Sequence, residues 1–260
     1  RRLTERRAGG DPTGPSVHLK LLTYNIHKGI GGVDRRYRPE RISAVLGHYA
    51  PDLVLLQEVD DGARRSKFDR QSELFAQALG MPHRAFFPNV RVRGGGTYGN
   101  AVLSRFPIAA ARNIDLTYPG RKHRSALYAV LNVPGAHGGR PRAVHVFNLH
   151  LGLAGFERTW QLSRFFADHP FAGLAQRTPV IVGGDFNDGW GRLGRRFFEP
   201  AGFHVPHRPA RTFPAWAPVR ALDAVYVRGN LRVLHLFRSH LREARFASDH
   251  LPLYTELEFI

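Results

Sequence analysis

Three small polar residues follow a short apolar run in Val180-Ile181-Val182-Gly183-Gly184-Asp185-Phe186-Asn187-Asp188. The run 180–182 reads as a buried strand, and the two glycines let the chain turn where it ends. Asp185 and Asn187 stand two apart, so in an extended chain both side chains point to one side. A carboxylate beside a carboxamide supplies a base or metal ligand next to a neutral hydrogen-bond donor. Taken alone, Gly-Asp-x-Asn is an Asx-turn closing a strand. The chemical reading gains weight because other apolar runs end in the same manner. Asn25, Glu58, Asn148 with His150, Asp223, and Asp249 with His250 all fall beside such runs. Each has a structural explanation as a turn former, a solvated strand end or a core histidine. Together they read as a site.

The elements that must position these residues follow from periodicity. Strands are predicted over 17–24, 53–56, 100–103, 125–133, 143–151, 221–227, 231–237 and 253–259, with another before the turn at Gly94-Gly95-Gly96. Pro39 opens a helix with Ile42, Val45, Leu46 and Tyr49 on one face, which Pro51-Asp52 breaks. Further helices are predicted over 71–79 and around Phe156, Trp160, Leu162, Phe165 and Phe166, with a short helical segment at Phe197-Phe198. Residues 206–218 read as loop. Helices and strands mix throughout without a linker or repeat, which predicts one α/β domain over 17–260. Residues 1–16 are basic, rich in Gly and Pro, and lack the apolar stretch of a signal peptide. They read as a flexible arm.

The 260 residues carry 38 Lys+Arg against 21 Asp+Glu, a net charge of +17. Such a balance suits a polyanionic partner: nucleic acid, an anionic membrane surface or a phosphorylated small molecule. An arginine-rich composition spread along the whole chain explains it equally well. The absence of cysteine excludes disulfides, zinc-thiolate sites and cysteine nucleophiles. No apolar run is long enough to span a membrane as a helix.

The ordered set Thr23-Tyr24-Asn25-Ile26-His27, Leu56-Gln57-Glu58-Val59, Gly99-Asn100-Ala101-Val102-Leu103-Ser104-Arg105, Asn148-Leu149-His150, Gly184-Asp185-Phe186-Asn187, Leu222-Asp223-Ala224-Val225 and Ser248-Asp249-His250-Leu251-Pro252 resembles the endonuclease/exonuclease/phosphatase superfamily. Any one motif is weak; the series in this order is specific. Asn148-Leu149-His150 is similar to the deoxyribonuclease, sphingomyelinase and phosphatase side of the superfamily rather than to its abasic-site endonucleases. Tyr24 to Gly29 and Phe156 to Gln161 are similar to a bacterial group described as metal-dependent hydrolases.

The resemblance implies a four-layered α-β-β-α sandwich, two mostly antiparallel sheets flanked by helices, with a cleft at one edge. It also implies a phosphodiesterase or phosphatase that uses Mg²⁺ or Mn²⁺, held by the oxygens of Asn25, Glu58 and Asp249. Asp185 would orient or deprotonate the attacking water, and Asn187 would bond the developing charge on phosphorus-bound oxygen. His250 paired with Asp223 would lie near the phosphate, and His150 would bind phosphate or protonate the leaving group. Lys28, Asn100, Arg124 and Asn148 are candidate substrate contacts. A lipid or small-molecule phosphoester is the leading substrate and nucleic acid the alternative; a non-catalytic phosphate-binding module is the remote one. The expectation is a monomer, cytoplasmic or peripheral to a membrane.

Overall fold

A computed structural model of the protein describes residues 17–135 and 139–260; the arm expected over 1–16 lies outside the described residues. In chain order the strands are β1 (His18–Asn25), β2 (Leu53–Asp61), β3 (His83–Arg91), β4 (Thr97–Ser104), β5 (Ile108–Asp115) and β6 (Ser125–Val133). They continue with β7 (Arg142–His150), β8 (Val180–Asp185), β9 (Asp223–Arg228), β10 (Leu231–Arg238) and β11 (Leu253–Phe259). The helices are α1 (Pro39–Tyr49), α2 (Gln71–Ala78), α3 (Gly155–Ala167) and the short α4 (Ala244–Ala247).

The strands form two sheets, ordered β10-β11-β1-β2-β4-β3 and β5-β6-β7-β8-β9. Only β1–β2 and β7–β8 pair in parallel among the named strands; every other neighbouring pair is antiparallel. Three apolar layers hold the sandwich together. Leu21, Leu55, Val146, Ile181 and Val225 pack between the sheets. Ile42, Leu46 and Phe75 of the first two helices close the outer face of the larger sheet. Leu162, Phe165 and Phe198 close that of the smaller one. Each fully buried leucine or phenylalanine contributes about 1.5–3 kcal/mol to folding.

The sequence pattern predicts no strand at β5. Its run Ala109-Ala110-Ala111 has low strand propensity, and β5 lies at the sheet edge, largely exposed and paired only with β6. There the partner strand, not local preference, decides the conformation.

Strand parity explains where the polar ends go. Side chains alternate between faces, so the residues that continue the inter-sheet core are Thr23 and Asn25 after Leu19 and Leu21, and Gln57 after Leu53 and Leu55. By the same count Asn148 and His150 continue Val144 and Val146, Asp185 continues Ile181, and Asp223 precedes Val225 and Val227. The core is therefore apolar for most of its length and polar at one end. Gly184 makes the close β7–β8 pairing possible: its φ is +141°, and a Cβ there would lie 2.0 Å from the Leu149 carbonyl oxygen.

Candidate active site

At that polar end the two sheets part to form a cleft of about 880 Å³. Asn25, Glu58, Arg124, His150, Asp185, Asn187, Asp249 and His250 all line it. Glu58 arrives by a bulge. The β2–β4 register jumps from Leu56↔Ala101 to Val59↔Gly99, so Gln57 and Glu58 together face Asn100. Glu58 takes φ +57°, rare for a residue with a Cβ, and reaches the cleft although its neighbour Gln57 holds the inward parity.

Asp185 occupies the middle. Its Oδ2 accepts a 2.9 Å hydrogen bond from Asn25 Nδ2 and lies 3.6 Å from His150 Nε2 and 3.8 Å from His250 Nε2. Burial, aided by the charge of Asp223, raises its pKa to about 6, against the opposing pull of His250 and of the hydrogen bonds from Asn25 and Asn187. The backbone N–H of Asn187 donates to Asp185 Oδ1 at 2.9 Å. The extended chain that would put both side chains on one side therefore does not persist to Asn187; the chain turns at φ +50° through an Asx-turn, and Asn187 Nδ2 donates to Leu151 O at 2.9 Å. Both residues still line the cleft.

The two histidines are in different states. His250 Nδ1 lies 2.8 Å from Asp223 Oδ2, which also accepts from the Thr212 hydroxyl. Burial alone would lower the pKa of His250, but Asp223 and Asp185 outweigh it and raise the value to about 10, so the ring is a cation. His150 is pushed well below the usual histidine range by burial and by Arg124. Arg124 has only donors, so its 2.9 Å contact with His150 Nε2 fixes that nitrogen as the acceptor of a neutral ring.

Asp185, Asp223 and His250 offer ligand atoms within 4.8 Å of one another and could hold a metal ion. Most of their atoms are engaged with one another, with Thr212, Asn25 and Asn187, while Asp223 Oδ1 is buried without a hydrogen-bond partner among the described residues. Glu58 is freer: the Lys28 ammonium is its only direct partner among the described residues. Despite burial, the charge and hydrogen bond of Lys28 hold its carboxyl well below the usual range. Asp249, in the cleft lining, has its Oδ1 4.0 Å from His27 Nδ1.

The remaining expected residues lie outside the cleft lining. Asp223 sits beneath it, behind His250. Asn100 and Asn148 are fully buried. Asn148 Nδ2 donates to Leu56 O and Ala101 O of the larger sheet at 2.8 and 2.9 Å, while its Oδ1 accepts from Gln57 Nε2 at 2.7 Å. Asn100 Nδ2 points to Ser125 O and Asn148 O. These two asparagines tie the sheets together instead of touching substrate, because a carboxamide at an inward strand position satisfies backbone groups before it reaches solvent. Behind the His150 loop, Gln161 accepts from Gly152 N and donates to Leu116 O, and Arg158 donates to Gly152 O and Leu153 O.

Sequence reasoning missed Lys122, Leu153, Trp190 and Val219 of the lining. The one signal available for them was Gly189-Trp190-Gly191, a tryptophan between glycines directly after the Asp185 motif.

The comparisons with known proteins meet this geometry. The model of the Endonuclease/Exonuclease/phosphatase family matches residues 22–250, from Leu22 of β1 to the cleft histidine His250. The chain belongs to that family. It is similar to "Uncharacterized protein YbhP" of Escherichia coli strain K12, 33% identical over 255 residues, covering 92% of this chain and 96% of that protein. It is also similar to a solved endonuclease/exonuclease/phosphatase from Beutenbergia cavernae DSM 12333, with 26% identity, TM-score 0.75, and coverage of 93% of this chain and 72% of that one. The mannosyl-6-phosphatase of Bacteroides thetaiotaomicron VPI-5482 shares the fold at 20% identity and TM-score 0.66, covering 93% of this chain and all of the other (100%). Nucleases and phosphatases, for which the family is named, break phosphoester bonds.

Proposed function

We propose that this protein hydrolyses a phosphodiester or phosphomonoester by attack of water on phosphorus, with Mg²⁺ or Mn²⁺ as cofactor. The observation that carries the reading is Asp185. It is a buried carboxylate with its pKa raised towards neutrality, facing the cleft between a neutral and a cationic imidazole.

Asp185 Oδ2 accepts the proton of the attacking water, a task suited to a base whose pKa lies near the working pH. Asn187 and Asn25, whose amides touch Leu151 O and Asp185 at rest, hold the loop and the carboxylate in place. His250, kept cationic by Asp223, sets positive charge against the phosphate oxygens. Arg124 adds to it: its Nε is buried and has no hydrogen-bond partner among the described residues, as expected of a guanidinium awaiting an anion. His150, whose Nε2 accepts from Arg124, holds that guanidinium in place, and the cationic His250 supplies the proton that the leaving oxygen takes up. Glu58, with Asn25 and Asp249, is the oxygen set that fits a hard divalent ion. The ion would supply charge against the phosphate and displace Lys28 from Glu58. The Asp185–Asp223–His250 group is the other candidate to hold it.

Hydrolysis of bis-p-nitrophenyl phosphate and p-nitrophenyl phosphate with Mg²⁺, Mn²⁺ or EDTA tests the proposal. Metal-dependent turnover that Asp185→Asn abolishes supports it. Turnover that EDTA and Asp185→Asn both leave intact sinks it. A nuclease is the second reading, favoured by the cations Lys122 and Arg124 in the lining, and nicking of plasmid DNA in the same assay separates it. Among the described residues no helix is long and apolar enough to cross a membrane.

A further inference from the structure

Beside the cleft lies a second concavity of about 750 Å³, lined by Arg64, Arg65, Arg91, Arg93, Tyr98 and Lys122 among others, none of them acidic. Lys122 belongs to both linings, so the two spaces meet at its side chain. The fold assembles this annex deliberately. The turn between β3 and β4 runs through three glycines with positive φ, and Gly96 presses so close to the loop after β2 that a Cβ would lie 2.5 Å from Ala63 N. That contact holds Arg91 and Arg93, at the base of the turn, near Arg64 and Arg65.

Exposed arginines are unremarkable in a chain of +17. Two observations set these apart. Arg65 is paired with Asp60, but Arg64, Arg91, Arg93 and Lys122 have no carboxylate partner among the described residues. Tyr98, only 5% exposed, lines the annex, and its hydroxyl is buried with no hydrogen-bond partner among the described residues. Its ring carries Lys122 and Arg65 at 4.8 and 5.3 Å. An enclosed donor amid unneutralised cations is costly unless an anion fills the space. Burial and the neighbouring Arg124 lower the pKa of Lys122, as crowding by like charge should.

We infer that the annex is a second phosphate subsite, and that the substrate carries a further phosphate group linked to the one hydrolysed in the cleft. Lys122 bridges the two phosphates, Tyr98 donates its hydroxyl to the second, and Arg91 and Arg93 close over it. The inference rests on the phosphoester reading of the cleft. It predicts that a second phosphate on the ligand raises its affinity.

Isothermal titration on the full chain with Asp185→Asn, so that nothing is turned over, tests it with two matched pairs. Thymidine 3′,5′-bisphosphate is set against thymidine 5′-monophosphate, and fructose 1,6-bisphosphate against fructose 6-phosphate. The expected result is affinity at least about tenfold higher for the bisphosphate of a pair, falling to near parity when Arg91→Ala and Arg93→Ala are added. A preference in the thymidine pair alone identifies a nucleotide source, in the fructose pair alone a sugar source, and either supports the subsite. Equal affinity within both pairs, absence of binding included, overturns it, as does a preference that survives the arginine substitutions. Circular dichroism confirms that the variants are folded. Failure of the hydrolase reading shows separately, as absent turnover of bis-p-nitrophenyl phosphate by the unsubstituted protein.

Discussion

On one part of the cleft rim, Lys122 and Arg124 stand on the connection entering β6; on another, Leu153, Trp190 and Val219 stand on loops beyond β7, β8 and residue 213. The first part is polar and anchored at Arg124, which is 7% exposed and bonded to His150, with the exposed Lys122 beside it. The second is apolar and unsupported, with Leu153 76% and Trp190 82% exposed. Trp216 and Phe156, also exposed, lie on the same loop after Phe213 and on α3 near Leu153. Anchored cations recognise what every substrate of the reaction shares, the phosphate. Exposed apolar side chains on loops recognise what varies, the group attached to it. A substrate matching both has a charged end and an apolar or planar end.

Asp185→Asn removes the base proposed to serve both parts and should lower kcat on bis-p-nitrophenyl phosphate by about a thousandfold, whatever the attached group. A loss that differs between attached groups would show that the parts are not independent. Glu58→Gln should weaken Mn²⁺ binding, read by electron paramagnetic resonance of the free ion, by about ten- to a hundredfold. If affinity is unchanged, the ion sits instead at Asp185, Asp223 and His250. Arg124→Met should raise KM about tenfold for every phosphoester and make its dependence on salt shallower, because one phosphate contact is gone. The smallest effect belongs to Trp190→Ala: a KM change of about threefold, confined to substrates with an apolar or aromatic attached group. A uniform change across substrates would assign Trp190 to the fold instead.

The sequence exposes the anchored parts better than the loose ones. Asn25, Asp185, His150 and Asp223 are legible because strand parity and strand ends leave a period-2 trace. Glu58 is legible as a motif residue, yet its aim depends on a bulge and a left-handed backbone that no periodicity announces. Parity also misleads at Asn100 and Asn148: it puts them inward without saying whether the space there is cleft or core, and it is core. The outer elements show the same division. The helices announce themselves by a 3.6-residue stripe, as in α1 with Ile42, Val45 and Leu46 buried. The edge strand β5 has no pattern of its own and exists through β6. Leu153 and Trp190 sit on loops, where position is set by what flanks them and leaves no repeat to read.

The tie made by Asn148 bears on how turnover proceeds. One carboxamide on the smaller sheet holds two carbonyls and a glutamine of the larger one, directly under the reacting groups. Three hydrogen bonds at that point resist sliding and gaping of the sheets, and with them any change in the spacing of Asn25 and Asp185 across the seam. Such a jaw is cast, not hinged. Shielding of the reacting phosphate from bulk solvent then falls to the ligand, whose own bulk must serve as the lid.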